Sequence, residues 1–541
     1  MKRGVKYVLI LNLVFCGDQV AGFIGHSLRI KCSRATGFYP QAFSPTLCRS
    51  MLLETNEENG EPSESTSLLN KDDEEMSPLL SQQIWSLALP AFVSEVMDPL
   101  LGLVDTAFVG HFTPGDKSAA LAGVGSATAL LNFSFFLMNF LTTATTPLVS
   151  QRRAAKDTDA AKAVASQSLS LAIVLGLTMT TILILLSVPL LTTVMGTRNT
   201  GPEANAYALS FLCIRALAAP AVFTISASTG VLRGFMDTKT PVGVLLTANT
   251  LNCVLDTTFI VGLKLGPTGA AMATTTTEWI SALTLLAVLK GDIPNRFNSD
   301  APPPIGVTPS LHLPPLEEIK PLLVASGSLF LRSASLQTFL VGAAAMAARG
   351  DFSATNAANV AAHQVALQIW LLCSFVCDAL AAASQVLVSD AIGRKDLNVL
   401  HTVTRLVCQY GIILGAVLAV LLHFGFESNL LYELFVPPNT PTAAALSSLV
   451  PILVLSQPLN AVVFTLDGVL QGASQFPYQA KTMVLSVSAG VAAFLLLENL
   501  ETSSTPLVHV WEAFAVLQSV RLITSLWKMS QEPINIFSSR E

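Results

Sequence analysis

Between residues 82 and 528 the chain breaks into twelve apolar stretches, each about as long as a helix must be to cross a bilayer. They run over 82–109, 119–149, 164–188, 204–231, 241–263, 267–290, 317–348, 357–389, 398–423, 441–470, 479–497 and 505–528. Inside hydrocarbon every backbone N–H and C=O has to be satisfied within the protein, so segments of this kind fold as helices. The expected fold is an all-α polytopic membrane protein with twelve transmembrane helices. With 51% hydrophobic and only 12% charged residues, an ordinary soluble domain is excluded. The net charge of -6 comes largely from one acidic stretch near the N-terminus, and no basic patch interleaved with aromatics argues for nucleic acid. The eight cysteines are scattered. Their one close pair, Cys373 and Cys377, lies in an apolar helix with no His or further Cys at ligand spacing, which reads as packing, so neither a metal site nor a disulfide is expected.

The remaining sequence divides around these spans. Residues 1–22 read as a signal peptide: Lys2, Arg3 and Lys6 precede the short apolar run Tyr7–Cys16, and Val20, Ala21 and Gly22 are small residues suited to cleavage. Residues 23–50 carry Arg29, Lys31, Arg34 and Arg49 and no acid, as a transit-like segment does. With Phe23 first after cleavage, the whole resembles the bipartite plastid presequences of algae with secondary plastids. Residues 51–81 form an acidic tail, expected to be disordered because it has little apolar surface to bury. Within it Glu64–Leu69 (ESTSLL) and Glu75–Leu80 (EMSPLL) resemble acidic dileucine sorting signals, which point instead to a vacuolar or endosomal membrane, with the plasma membrane a further alternative; Leu79 and Leu80 also read as the opening of the first helix. An N-lobe (82–290), a polar linker (291–316) with Pro302, Pro303, Pro304, Pro314 and Pro315, a C-lobe (317–528) and a C-terminal tail (529–541) follow. The loops after even-numbered spans and the linker hold most of the Lys and Arg, including Arg152, Arg153, Lys156, Arg233, Lys239, Arg394 and Lys395, whereas the opposite loops hold only Lys117, Arg198, Lys264 and Arg349. Both termini are therefore expected on the cytoplasmic side, or the stromal side in a plastid envelope.

The two halves repeat. Leu148–Gln151 (LVSQ) closes the second span and Leu387–Asp390 (LVSD) the eighth; Ala221–Thr224 (AVFT) before Gly230–Gly234 (GVLRG) returns as Val462–Thr465 (VVFT) before Gly468–Gly472 (GVLQG). An even number of spans per half gives the copies one orientation, so two six-helix lobes are related by a pseudo-twofold axis along the membrane normal, a transporter architecture that alternates access by rocking.

Asp256 lies inside the fifth span, where an ionisable side chain marks a functional site by default. Asn252 is one turn earlier on the same face. An amide oxygen beside a carboxylate can hold a proton or a hard cation such as Na⁺; a hydrogen bond to a neighbouring helix is the plainer alternative.

Several segments then resemble one family. Pro99–His111 (PLLGLVDTAFVGH), Ile214–Ala221 (IRALAAPA), Leu232–Pro241 (LRGFMDTKTP) and Asn252–Asp256 (NCVLD) are similar to the multidrug and toxic compound extrusion (MATE) family in its DinF-like branch, and Ala361–Trp370 (AAHQVALQIW) and Leu466–Phe476 (LDGVLQGASQF) are similar to the plant members of that branch. The resemblance covers about residues 80–530. It implies a coupling-cation site made by a first-helix aspartate, a fifth-helix Asn and Asp, and a sixth-helix Thr, which fall on Asp105, Asn252, Asp256 and Thr274. Two carboxylates in low dielectric cannot both stay ionised cheaply, so they take up protons as a coupled unit. Protonation would then let helices bearing proline, such as the first with Pro90 and Pro99, change their kinks. Glu278, one turn beyond Thr274, either extends the relay or pairs with Arg215. Asp378 and Asp467 are expected to form a second acidic cluster facing the cavity. Arg215 and Arg332 either hold an anionic solute, as the resemblance to plant members that move citrate or other carboxylates implies, or pair with the acids. His363 and Gln364 line the cavity or cap a helix.

The reading is a secondary active antiporter exporting a small organic compound, a xenobiotic or an organic acid, in exchange for H⁺ or, as the lesser alternative, Na⁺. It works as a monomer in the lipid bilayer with no cofactor and no catalytic residue. The alternatives are a lipid-linked-oligosaccharide flippase of related fold and a non-coupled channel or scaffold. ATP coupling has no support, since no GxxxxGK[ST] loop is present. No loop gathers a nucleophile, a base and a third group, so an enzyme is not expected.

Overall fold

A computed structural model describes residues 64–113, 116–136, 140–194, 201–298, 305–310, 316–347, 354–436, 440–499 and 505–531. The signal-peptide and transit-like readings of 1–22 and 23–50, and residues 532–541 of the C-terminal tail, lie outside them. All regular structure among the described residues is helical: α1 (Glu64–Phe112), α2 (Lys117–Phe136), α3 (Phe140–Ala154), α4 (Thr158–Leu185), α5 (Pro202–Ala216), α6 (Ala219–Gly234), α7 (Lys239–Asp256), α8 (Pro267–Lys290), α9 (Leu316–Ala347), α10 (Ala354–Arg394), α11 (Leu397–Glu427), α12 (Pro441–Leu455), α13 (Gln457–Gly472), α14 (Phe476–Asn499) and α15 (Pro506–Gln531), besides short segments. α2 and α3 make the second span, and nine described segments are long and apolar enough to cross a bilayer. The bent pairs α5–α6 and α12–α13 raise this to eleven. α1, 49 residues long, supplies the twelfth.

The bends follow from the sequence. Pro220 and Pro458 sit in the first turns of α6 and α13, where each removes a backbone donor and opens the helix. The angles are 46° at α5–α6 and 52° at α12–α13. Gly176 of α4 passes each elbow's N-lobe copy so closely that a Cβ there would stand 2.4 Å from Pro220 Cα, and Gly415 of α11 does the same at 2.5 Å from Pro458 Cα. The repeat therefore extends to backbone detail. Asp157 and Asp396 cap α4 and α11 by accepting from Ala160 N (3.0 Å) and Val399 N (3.1 Å), satisfying donors that a helix start leaves open. Lys156 and Lys395, each just before its cap, share the left-handed backbone region at φ 64° and 59°.

Packing differs between the two faces of the molecule. At the face bearing the basic loops, Leu80, Ile84 and Leu87 of α1 join Leu380, Val386 and Leu387 of α10 and Val403 of α11 in one buried cluster. There too Leu322, Ala325 and Leu329 of α9 join Leu148, Val149 and Leu169 of the N-lobe. At the opposite face, each cluster stays within one lobe: Val109, Ala120, Leu212 and Ile260 in the first, Phe339, Trp370, Leu449 and Trp511 in the second. The lobes thus adhere at the basic face and each packs on itself at the other.

Of the acidic tail expected over 51–81, residues 51–63 lie outside the described residues, and from Glu64 the chain is helical in α1 and not disordered. The tail's low apolar content hid one packed stripe. Met76 and Leu80 lie against the C-lobe cluster, and the Tyr410 hydroxyl donates to Ser81 Oγ at 2.9 Å. α1 then continues through Pro90 and Pro99 as one helix.

Candidate ion-coupling site

α7 ends at Asp256 and passes directly into a π-helical turn, Thr257–Gly262, a local widening that often accompanies functional positions. Asn252 and Asp256, one turn apart, are completely buried on the inward stripe of α7, while Val254 between them is exposed. α8 brings Thr274 against them and α1 brings Asp105. The Asn252 amide donates to Thr274 Oγ1 at 3.3 Å, and the Thr274 hydroxyl reaches both Asp105 Oδ2 at 2.9 Å and the Ala270 carbonyl at 3.0 Å. All four residues named from the sequence therefore meet.

Among the described residues no donor reaches Asp105 Oδ1, Asn252 Oδ1, or either carboxylate oxygen of Asp256. The Asp256 and Asp105 carboxyls lie within hydrogen-bonding reach of each other. A proton on either would make that bond, and two bare carboxylates cannot. Buried acceptors without donors are costly, and a proton or a small hard cation removes the cost. The donor set is oxygen only, so the residues present fit H⁺ and Na⁺ alike.

Beside this cluster Arg215 of α5 grips Glu278 of α8 with both guanidinium nitrogens, one at 2.8 Å to Oε1 and the other to Oε2. A two-pronged ion pair of this kind fixes both side chains. Glu278 thus serves as the partner of Arg215, the second of the two roles open to it from the sequence.

In the C-lobe Asp467 of α13 accepts from Arg332 of α9 at 2.6 Å, from Arg521 of α15, and from Gln479 of α14 at 3.2 Å. Arg521 is buried, bonded to Gln518 at 2.6 Å and seated over the Phe464 ring at 5.5 Å. Asp378 of α10 lies in the field of this group and of Glu95 on α1, which is itself 3.6 Å from Arg233. The second acidic cluster expected here is therefore a mixed one, with its carboxylates countered by guanidinium groups. His363 and Gln364 do not join it. His363 is buried among Phe339, Leu367, Val510, Trp511 and Phe514, its ring 5.9 Å from that of Trp511, in a pocket of about water size, and Gln364 is exposed. Consecutive helix positions diverge by about 100°, so neighbours in sequence need not share a cavity.

The MatE family model matches residues 90–258 and 335–495, more than half of the chain. The chain belongs to the MatE family. Protein DETOXIFICATION 44, chloroplastic, of Arabidopsis thaliana is 31% identical over 474 residues, covering 85% of each chain. DNA damage-inducible protein F of Escherichia coli strain K12 is 27% identical over 459 residues, 82% of this chain and 91% of its own. A solved structure described as MATE in the bent conformation shares the fold at a TM-score of 0.71 and 20% identity, covering 87% of this chain and 100% of that one.

In this MatE chain Asp105, Asn252 and Asp256 fall within the matched residues, and Thr274, Glu278, Arg332 and Arg521 outside them. Arg521 escaped the sequence reading. Its signal was an arginine inside an apolar span, three residues after Gln518, the same signal that had marked Arg215 and Arg332.

Proposed function

We propose that this multi-pass MatE transporter is a secondary antiporter that exports a small organic compound in exchange for H⁺, with Na⁺ the alternative ion. The observation that carries this is the donor-poor cluster in which Asn252 and Asp256, both fully buried, meet the partly buried Asp105 through Thr274. With both acids bare, carboxylate repulsion pushes α1 and α7 apart; with a proton between them, the two helices draw together. α1 carries this change across the molecule, because the helix that places Asp105 in the ion cluster also places Leu80, Ile84 and Leu87 against the C-lobe at the basic face. Loading thus biases one arrangement of the lobes over another, which a switch requires.

By its basic loops, that face is the cytoplasmic or stromal one, so the ion cluster takes up its ion from the opposite side. The solute is a xenobiotic or an organic acid. Arg332, partly exposed beside Asp467, is the group on which a carboxylate solute would pair. The cluster is complete within one chain, consistent with a working monomer. The plastid envelope is the membrane that the presequence pattern favours, and the chloroplastic label of a relative agrees with it.

The test is a metabolite screen in proteoliposomes under an imposed pH difference. Solute accumulation that follows the gradient is expected; solute flux indifferent to both H⁺ and Na⁺ gradients sinks the antiporter. Two fusions, one full-length and one starting at Met51, decide the membrane. Identical localisation of the two removes the plastid reading.

A further inference from the structure

At the basic face the lobes are joined by more than apolar contact. Gln151, near the end of α3, crosses into the C-lobe and donates to the Gly472 carbonyl at 2.8 Å and to Ser474 Oγ at 3.0 Å. Gln385 of α10 crosses the other way and donates to the Thr143 carbonyl at 2.7 Å. Arg153 of α3 pairs with Asp390 of α10, which also holds Arg394 at 2.8 Å. Gln151 and Asp390 occupy equivalent places in the repeat, each last in its LVSQ or LVSD segment, and each reaches over the pseudo-twofold axis to the other lobe. Gly393 lets the helices come this close, since a Cβ there would stand 2.4 Å from the Gln151 carbonyl.

We propose that Gln151, Gln385 and the Arg153–Asp390 pair form an inter-lobe latch that holds this face closed and opens once in each transport cycle. The inference rests on the antiporter reading for its place in a cycle, although the latch itself is tested without transport. Two features separate it from a permanent interface. Its bonding groups are amides and an ion pair, which water can replace on opening, so the directional part of a seam that also carries apolar clusters can be exchanged for solvent. Asp390 also keeps Arg394 when Arg153 leaves, so separation strands no buried carboxylate. Among the described residues the opposite side shows no cluster shared by the lobes, so losing the latch favours parting of the basic face.

The experiment uses the full chain in lipid nanodiscs, with native cysteines replaced and spin labels at Lys156 and Lys395, both exposed and one on each lobe. The wild-type chain is expected to show one short distance. Gln151→Leu combined with Gln385→Leu removes all three of their side-chain hydrogen bonds, each worth about a factor of five, and should raise the ratio of long to short distances roughly 100-fold. Gly393→Val should do the same by steric wedging. Distance distributions unchanged in both variants overturn the proposal. A second measurement covers the case of misfolding. Arg153→Cys with Asp390→Cys, joined by a short reducible bifunctional thiol reagent, is assayed for flux of ethidium and of citrate in proteoliposomes. Flux should fall at least tenfold on cross-linking and return on reduction; equal flux before and after refutes a latch that must open. If the wild-type chain carries neither probe, the antiporter reading is what suffers, and the spin-label distances still decide the latch.

Discussion

Asp256→Asn changes one oxygen to a nitrogen in a completely buried side chain and should separate folding from coupling. Neither Asp256 oxygen has a donor among the described residues, and Asp105 Oδ1 lacks one as well. The Asn amide supplies a donor to that oxygen permanently, as a bound proton does transiently. A hydrogen bond to a charged group contributes about 1.5–3 kcal/mol, so the variant should be as stable as the parent or more so by about that amount. Transport should respond in the opposite sense. Each pH unit across the membrane is worth about 1.4 kcal/mol per proton, so at one proton per turnover a difference of two units can concentrate solute up to about 100-fold. With the proton's place taken by an amide, accumulation should collapse to equilibration or less. The assay pairs thermal unfolding in nanodiscs with gradient-driven uptake in proteoliposomes by the same preparation. Full accumulation by Asp256→Asn would refute the reasoning, and so would loss of folding by several kcal/mol, because the site would then be a structural carboxylate.

Three further outcomes are expected. Thr274→Val keeps the shape but removes the hydroxyl that joins Asn252 to Asp105; it should cost about 1–3 kcal/mol in unfolding measurements and shift the pH at which uptake is half-maximal, whereas an unshifted profile would place Thr274 outside the ion site. Arg521→Met leaves Asp467 with Arg332 as its one ionic partner among the described residues, and should destabilise by about 3–5 kcal/mol in a denaturation series; a change below about 1 kcal/mol would mean that the pair is not desolvated. Gly468→Ala would set a Cβ 2.3 Å from the Ala381 carbonyl, while Gly102 has nothing within 4 Å of the same atom, so the first substitution should abolish folded protein by size-exclusion chromatography and Gly102→Ala should be neutral or stabilising by about 1 kcal/mol.

The features legible in the residues alone are those that depend on the surrounding lipid or on spacing along one helix. The spans are one case, because hydrocarbon demands long apolar segments wherever the chain crosses. The Asn252–Asp256 pair is another, because four residues always return to the same face. The bends at Pro220 and Pro458 and the caps at Asp157 and Asp396 are equally local. Asp105 and Thr274 entered through resemblance, since nothing in the spacing of three separate helices says that their side chains meet. The start of α1 at Glu64 is not legible in the composition, which averages over a segment, whereas packing needs one stripe, here Met76, Leu80 and Ile84.

Only the tertiary structure decided who pairs with whom. It gave Glu278 to Arg215 and Asp467 to both Arg332 and Arg521, placed His363 and Gln364 on different sides of α10, and set Gln151 and Gln385 across the seam. Ion pairs and amide bonds form between groups tens or hundreds of positions apart. Their energies depend on distances that the rotation and tilt of every intervening helix determine, and no local pattern carries that information.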